Sequence, residues 1–526
     1  MPEYLYPGVY IEEIERGPRP IEGVPTSTTA MLAETERGTI KPRLVTTYKD
    51  FYRWFGGVFG DQQFGPYAAS GFFDNGGKLL FACRLVGKQA APATAAFGNF
   101  TAMAVGPGSW GQRVWVRVQA SSTSKPDASG TPQPVGVRLR LAYWSTVPDG
   151  GLFDPFDLPA NNDKVRRYPP QLVEDFDDLD ANPKSLNYID KRLVDDDGTS
   201  SSALVIMARG AAAAPGELPA QASQPLGQDG VDDPAGLDDT DYQGDLAGLR
   251  TQLQGLAALE TDPYRDVALV YAPASGPVVA KRLITHCENL RFRFAVIDSD
   301  PNVASPADLD PRTTIQDTEY AAFYYPWITI SDPQTGAKRL VPPGGHALGV
   351  YARVDSQRGV FKAPANETLN NVLSLQADIT DSLQSLLNPN GVNAIRSFPG
   401  RGIRIWGART MSSDALWKYV SVRRLFIFLE RSIYEGTQWV VFEPNDPRLW
   451  ARVSDTIRLF LKGQWRNGAL FGRTEEQSYF VTCDETTMTK DDILNGRLIC
   501  EIGIAPVRPA EFVVFRIFQN TADAQR

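Results

Sequence analysis

Val267-Ala268-Leu269-Val270-Tyr271-Ala272-Pro273 is a short apolar run closed by proline, and Phe292-Arg293-Phe294-Ala295-Val296-Ile297 is a second run of the same kind. Runs of this length, rich in Val, Ile and aromatic side chains, read as strands buried on both faces. Between them, residues 278–291 carry a helical pattern. Strand, helix and strand in that order predict a parallel pair joined by a crossover helix, the unit from which α/β sheets are built.

Working outward towards the N-terminus, residues 26–34 read as another core strand and 48–55 as a short amphipathic helix. Residues 67–75 read as a helix closed by Gly76-Gly77, and 78–85 return to strand. From about Gly87 the texture changes. Residues 114–118 and 135–143, where Val137, Leu139 and Leu141 alternate with Arg138, Arg140 and Ala142, predict antiparallel strands. The remainder to about Gly255 reads as loops, with Asp195-Asp196-Asp197-Gly198, an alanine run at 211–214 and an Asp-, Gly- and Pro-rich tract at 229–245. Such a stretch predicts a peripheral, solvated insertion.

Towards the C-terminus, 320–330 is a strand region, and 349–359 and 369–387 look helical. The second of these places Leu369, Val372, Leu373, Ile379, Leu383, Leu386 and Leu387 on one side. Pro342-Pro343-Gly344-Gly345-His346 and Gly400-Arg401-Gly402 miss the phosphate-loop spacings and read as turns. Beyond Gly400 come a strand at 403–406, helices at 413–434 and 447–465, and strands at 479–482, 498–504 and 512–518. The predicted class is a multidomain α/β and α+β protein. Its parts are an N-terminal strand and arm (1–20), a middle α/β domain (21–86 with 259–399), a β-rich acidic insertion (87–258) and a C-terminal α+β domain (400–526).

Composition narrows the function. The 526 residues are 42% hydrophobic and 22% charged, an ordinary globular balance. No stretch reaches the apolar length of a membrane span, and Met1-Pro2-Glu3-Tyr4 has no signal-peptide features, so cytoplasmic synthesis without membrane insertion is expected. Cys83, Cys287, Cys483 and Cys500 are scattered singly in sequence, which argues against a disulfide framework or a zinc knuckle and fits a reducing compartment. Two histidines, His286 and His346, are a poor supply for acid–base or metal chemistry. No Ser/His/Asp or Cys/His arrangement assembles, and the Asp tracts lack calcium-loop spacing, so neither a catalytic residue, a metal nor a cofactor is expected. The charge is uneven: residues 149–258 hold 21 Asp and Glu against 8 Lys and Arg, so the chain's −9 is a local −13 offset by +4 elsewhere. Two surfaces with different partners are implied.

Three places remain as candidate sites. On residues 446–466 a helical wheel gathers Leu449, Trp450, Val453, Ile457, Phe460, Leu461 and Trp465 on one face. Arg448, Arg452, Arg458, Lys462 and Arg466 line the other, diluted by Asp455. That stripe is either a solvated face or a row of cations that docks an acidic partner; nucleic acid fits less well, because the chain is acidic and lacks a recognised motif. Asp298 and Asp300 follow a strand end, where α/β enzymes hold catalytic acids, although capping of the next loop is the plainer reading. Finally, the terminal runs Tyr6-Pro7-Gly8-Val9-Tyr10-Ile11 and Phe512-Val513-Val514-Phe515-Arg516-Ile517-Phe518 place apolar strands where chains fray. Either they close the molecule's own sheet, or they pair with another copy by strand addition.

The opening Tyr6-Pro7-Gly8-Val9-Tyr10-Ile11-Glu12-Glu13 resembles the start of contractile tail sheath proteins of bacteriophages, pyocins and extracellular injection systems. Further matches are PPGGHALGVYARVD at 342–355, GVFKAPAN at 359–366, 390–397 with 402–408, RRLFIFLERSI at 423–433, 442–449, 480–486 and 507–517. The resemblance leaves most of 87–258 uncovered, matching the family's variable outer insertion. It implies a discontinuous sheath-like fold and a structural machine rather than an enzyme. Subunits stack as six-membered rings into a sleeve around an inner tube, between baseplate and terminal cap proteins, in a phage tail or released particle. The extensions carrying Val9, Tyr10 and Ile11 and Phe512, Val513, Val514, Phe515, Arg516 and Ile517 would complete the sheets of adjacent copies. The C-terminal domain faces the tube in that family, which makes Arg448, Arg452, Arg458, Lys462 and Arg466 the expected tube contact. Two other classes stay open: a surface-binding tail component that acts through the insertion, and an enzyme built on Asp298 and Asp300. Secretion sheaths of the two-chain type divide these parts between chains, so the single chain favours the phage-like or extracellular class.

Overall fold

The computed structural model of the chain describes residues 20–127, 129–159, 161–193, 201–245 and 254–516. Leu269–Tyr271 runs parallel to Phe294–Asp298 with Leu269 opposite Phe294, and Pro277–Leu290 is the helix between them. Pro277 opens that helix, where its missing N–H would have had no partner anyway. The pair is the middle of a nine-stranded sheet, in the order 367–368, 402–405, 392–398, 321–325, 294–298, 269–271, 29–33, 80–84, 43–45. The six inner strands are parallel, and the outer ones pair antiparallel. Thr29–Ala33, Phe294–Asp298 and Ala321–Tyr325 are buried at every position, which is why they read as unbroken rather than alternating runs.

Helices Gly65–Asp74 and Gly344–Arg358 pack against each other through glycine. A Cβ on Gly345 would lie 2.5 Å from the Ala68 carbonyl oxygen, and one on Gly349 would lie 2.4 Å from that of Phe72. Only the absence of a side chain lets the two backbones approach so closely. The Pro342-Pro343-Gly344-Gly345-His346 run is therefore the start of a helix and not the expected turn.

The insertion is more ordered than its composition suggests. Strands Leu172–Leu179, Val137–Tyr143, Val114–Ala120 and Ala222–Pro225 form one antiparallel sheet, and Val205–Arg209, Phe100–Ala104 and Thr94–Phe97 form another. Phe97, Trp110, Val116, Leu139, Phe176 and Met207 meet in their shared core. Acidic side chains hide the first of these strands from a composition reading. In Leu172–Leu179, Phe176 and Leu179 point inward while Asp175 and Asp177 pair with Arg138, and Asp175 also with Arg140, on the neighbouring strand.

Other differences have local causes. The helix expected over 369–387 is confined to Asp381–Leu387, because Asn371 takes a left-handed conformation (φ 59°) and the Thr380 side chain caps the later start. The helix expected from 413 starts at Val420; residues before it make a turn at Asp414 and a bridge between Arg409 and Tyr419. The strand region 320–330 splits at Pro326 into Ala321–Tyr325 and Ile328–Ser331, which join different sheets.

The chain divides into two compact units, one Pro25–Arg424 and the other Met1–Val24 with Leu425–Arg526. The first contains both the nine-stranded sheet and the insertion, and the Tyr143 hydroxyl donates to Glu36 (2.7 Å). Gly402–Ile405 pairs with Val392–Phe398 in the large sheet and lies in the first unit, which ends at Arg424. In the first unit, Arg424 and Asp355 form a buried ion pair (3.0 Å), and Thr26 donates its hydroxyl to the same carboxylate (2.6 Å). In the second unit, residues 21–24 lie along the helix that ends at Gly436. Gly23 sits beneath the Phe428 ring, and the Val24 N–H donates to the Ser432 hydroxyl (3.2 Å).

Candidate functional site

The helix Pro447–Arg466 begins where sequence chemistry places it: the Asp446 carboxylate accepts from the Leu449 N–H (2.8 Å), and Pro447 occupies the first turn. Leu449, Trp450, Val453, Ile457, Phe460 and Leu461 are buried, with the Phe428 and Phe460 ring centres 6.0 Å apart, while Trp465 is half-buried. Arg448, Arg452, Arg458 and Arg466 are exposed and Lys462 is half-buried, so the helix presents the two faces its wheel predicts.

The cations are not equivalent. The Lys462 ammonium pairs with Glu475 (2.7 Å), and that contact holds the Glu475 carboxyl below its ordinary value. Arg458 donates to the Val481 carbonyl (2.7 Å), tying the helix to the strand behind it. The Arg452 guanidinium lies 4.6 Å from the centre of the Trp439 ring. Arg448 and Arg466, at the two ends, carry the least committed charges. Leu459, 55% exposed, stands within the stripe one turn from Asp455, so apolar surface interrupts the charge at two-thirds of the helix. Leu459 is absent from the stripe expected from the sequence.

Tyr479–Thr482 and Glu501–Ile504 form a two-stranded antiparallel sheet, and among the described residues no third strand joins it. Phe480 on its outer side is 56% exposed. Residues 505–507 extend the pairing through bonds to 469–471. After that the chain leaves the sheet. Phe512, Val513, Val514 and Phe515 are 68–83% exposed and Arg516 is exposed, so the strand expected there, buried on both faces, is not formed within the chain's own unit. Among the described residues, no strand pairs with this run. Val9, Tyr10, Ile11, Ile517 and Phe518 lie outside the described residues.

The sheet also brings together two residues that sequence distance had kept apart. Thr482 faces Glu501, and the next pair in that register is Cys483 with Cys500, whose thiols are within hydrogen-bonding reach.

Asp298 has a structural use. Its carboxylate accepts from the Tyr271 hydroxyl (2.7 Å), the Ala274 N–H (3.2 Å) and the Gly344 N–H (2.8 Å), the last at the start of a helix. Burial pushes its carboxyl up to about 6. Asp300 is exposed, so the two carboxylates do not share a pocket. Among the described residues no group of three or more His, Cys, Asp and Glu side chains could hold a metal ion, and no helix is long and apolar enough to cross a membrane.

Residues 244–411 match the model of the phage tail sheath protein central domain, and residues 412–520 match that of the phage tail sheath C-terminal domain, together more than half of the chain. A putative prophage major tail sheath protein of Pseudomonas aeruginosa is 27% identical over 283 residues, covering 52% of this chain and 69% of that protein. The sheath of an extracellular contractile injection system, PVC, in its contracted state aligns over 99% of this chain and 100% of that one, with a TM-score of 0.58 and 21% identity. The helical sheath of the anti-feeding prophage in its contracted state aligns over 98% and 100%, with a TM-score of 0.55 and 22% identity.

Proposed function

The chain belongs to the phage tail sheath family, whose members are contractile sheath subunits, and on that premise we propose how its own surfaces assemble. Copies stack as six-membered rings into a sleeve around an inner tube, between a baseplate and a terminal cap. The observation that carries this reading is the exposed apolar tail Phe512 to Phe515, together with a C-terminal sheet that has two strands among the described residues. A tail of this kind is an aggregation hazard unless a neighbour's backbone covers it. Strand addition from the next copy supplies that cover, at about 1 kcal/mol net per backbone hydrogen bond. The N-terminal run with Val9, Tyr10 and Ile11 is assigned the same role at the other end.

The exposed cations of the helix Pro447–Arg466 are assigned to the tube, with Arg448, Arg452 and Arg466 as the principal contacts and Leu459 as an apolar anchor among them. Arg458 and Lys462 serve first to fix the helix to its own unit. Contraction then releases energy stored in an extended lattice while the strand joints persist, with no nucleotide required. No catalytic step is assigned: Asp298 is fully engaged in holding a loop and a helix start.

The test is truncation. Removing residues 1–17, or separately 512–526, should leave a folded protein by circular dichroism that forms no striated tubes in negative-stain microscopy. Normal tubes from both truncations would refute the joints.

A further inference from the structure

We propose that Cys483 and Cys500 form a cross-strand dithiol that closes to a disulfide when the protein leaves a reducing environment, clamping the two-stranded C-terminal sheet. The register places them face to face: Tyr479 opposes Ile504, Val481 opposes Ile502, Thr482 opposes Glu501, and the next step pairs 483 with 500. Directly opposed residues of an antiparallel pair have Cα atoms about 4.5–5.5 Å apart, inside the window of about 4.4–6.8 Å that a disulfide spans. Both side chains lie on the face that also carries Tyr479 and Val481, and the thiols already reach one another. The other two cysteines are different. Cys83 and Cys287 are wholly buried in the other unit, one in a core strand and one in a helix.

The two thiols differ in access. Cys500 is half-buried and Cys483 is buried, so Cys500 meets an external oxidant first. With a small-molecule disulfide, the Cys500 thiol gives up its proton to solvent and its sulfur attacks one sulfur of the reagent. The reagent's S–S bond breaks and one thiolate leaves, taking up a proton. Cys483, deprotonated in turn, attacks the Cys500 sulfur, the mixed S–S bond breaks, and the second small thiol departs. The protein has lost two protons and two electrons, and the reagent has gained both. Burial, then the neighbouring Cys483, pushes the Cys500 thiol up to about 12, while the Arg458 guanidinium on the adjacent helix acts the other way. Little thiolate exists at neutral pH, so closure is slow.

Closure ties off residues 484–499, which hold one lysine, Lys490, and one arginine, Arg497. Their folding relies on a Thr489 and Asp492 capping box and a Thr487 hydroxyl donating to the Ile499 carbonyl (2.8 Å). The clamp fixes the register of the sheet that neighbouring copies are proposed to extend; its effect on assembly rests on the sheath reading, whereas its formation does not.

Full-length protein would be incubated with oxidised glutathione and examined by intact mass and peptide mapping under non-reducing conditions. The expected result is a 2 Da loss, as two thiols become one disulfide, with a peptide containing Cys483 joined to one containing Cys500, reversed by a phosphine reductant. Trypsin cleavage after Lys490 or Arg497 should then leave the two fragments joined on a non-reducing gel and separate on a reducing one. Cys483→Ser should stop at a glutathione adduct on Cys500, and Cys500→Ser should show neither adduct nor link. Four thiols still reactive after denaturation, a stable adduct on the wild-type protein, or a link through Cys83 or Cys287 would each overturn the proposal. Loss of sleeves with the disulfide formed would instead count against the sheath reading of the sheet.

Discussion

At the scale of single residues, the strongest polar commitments are buried. Arg424 and Asp355 are each almost fully buried, and the Arg424 guanidinium also donates to the Thr26 carbonyl (2.9 Å). Replacing either partner alone leaves an unpaired buried charge, so Arg424→Ala or Asp355→Ala should cost about 3–5 kcal/mol in denaturant unfolding. The double replacement Arg424→Met with Asp355→Leu should cost much less than either single loss. Asp298 makes a pH-dependent case. Its folded carboxyl titrates near 6 against an unfolded value of 3.8, because burial opposes its charge. The folded state therefore holds the proton more tightly, and this group's stabilisation is complete below about pH 4 and lost as pH rises through 6. The span is about 3 kcal/mol. Asp298→Asn should flatten the fall in unfolding free energy between pH 4 and 7; an unchanged slope would show that another group sets it. The sequence placed Asp298 at a strand end but could not show three donors converging on it from Tyr271, Ala274 and Gly344, since two of those lie in separate elements.

At the scale of elements, glycines discriminate between packed and open helix faces. Gly345→Ala would force a Cβ to within 2.6 Å of the Ala68 Cα and should destabilise by about 1–3 kcal/mol. Gly463→Ala, on the helix Pro447–Arg466, meets nothing within 4 Å and should stabilise by about 0.5–1 kcal/mol. Thermal unfolding of the two variants should shift in opposite directions. On the same helix, Arg448→Glu with Arg466→Glu should leave the fold intact and abolish co-sedimentation with inner tube, whereas Lys462→Glu should also loosen the contact to Glu475. Retained tube binding by the double variant would remove the assignment. The buried strands and the two-faced helix were legible because one periodicity dominates each of them. Leu172–Leu179 was not, because its solvent face is so acidic that the inward residues look incidental. The span 369–387 misled in the opposite sense: its leucines fit a helix, but Asn371 bends the backbone before the helix can start.

At the scale of the whole molecule, the amino-acid order carried the α/β core, because its buried strands are local patterns. Pairings between distant segments were out of reach. Gly402–Ile405 pairs with Val392–Phe398 in the large sheet, and the thiol pair depends on a register set by strands on either side of a long loop. Sheath assembly by the proposed joints makes one concentration-dependent prediction. Light scattering of purified protein should stay flat below a threshold and then rise after a delay that preformed sleeve fragments shorten; a rise linear from zero concentration would exclude it. The delay follows from the two-stranded C-terminal sheet. Such a pair is marginal alone; here it packs on the helix Pro447–Arg466, and further strands would add to its stability. On the proposed joints, a lone subunit would lack its neighbours' strands and the first ring would be the slowest step. The sheet would then act as a kinetic lock: subunits remain dispersed until an existing ring offers its edge, so a growing end, more than the bulk pool, decides where the polymer forms.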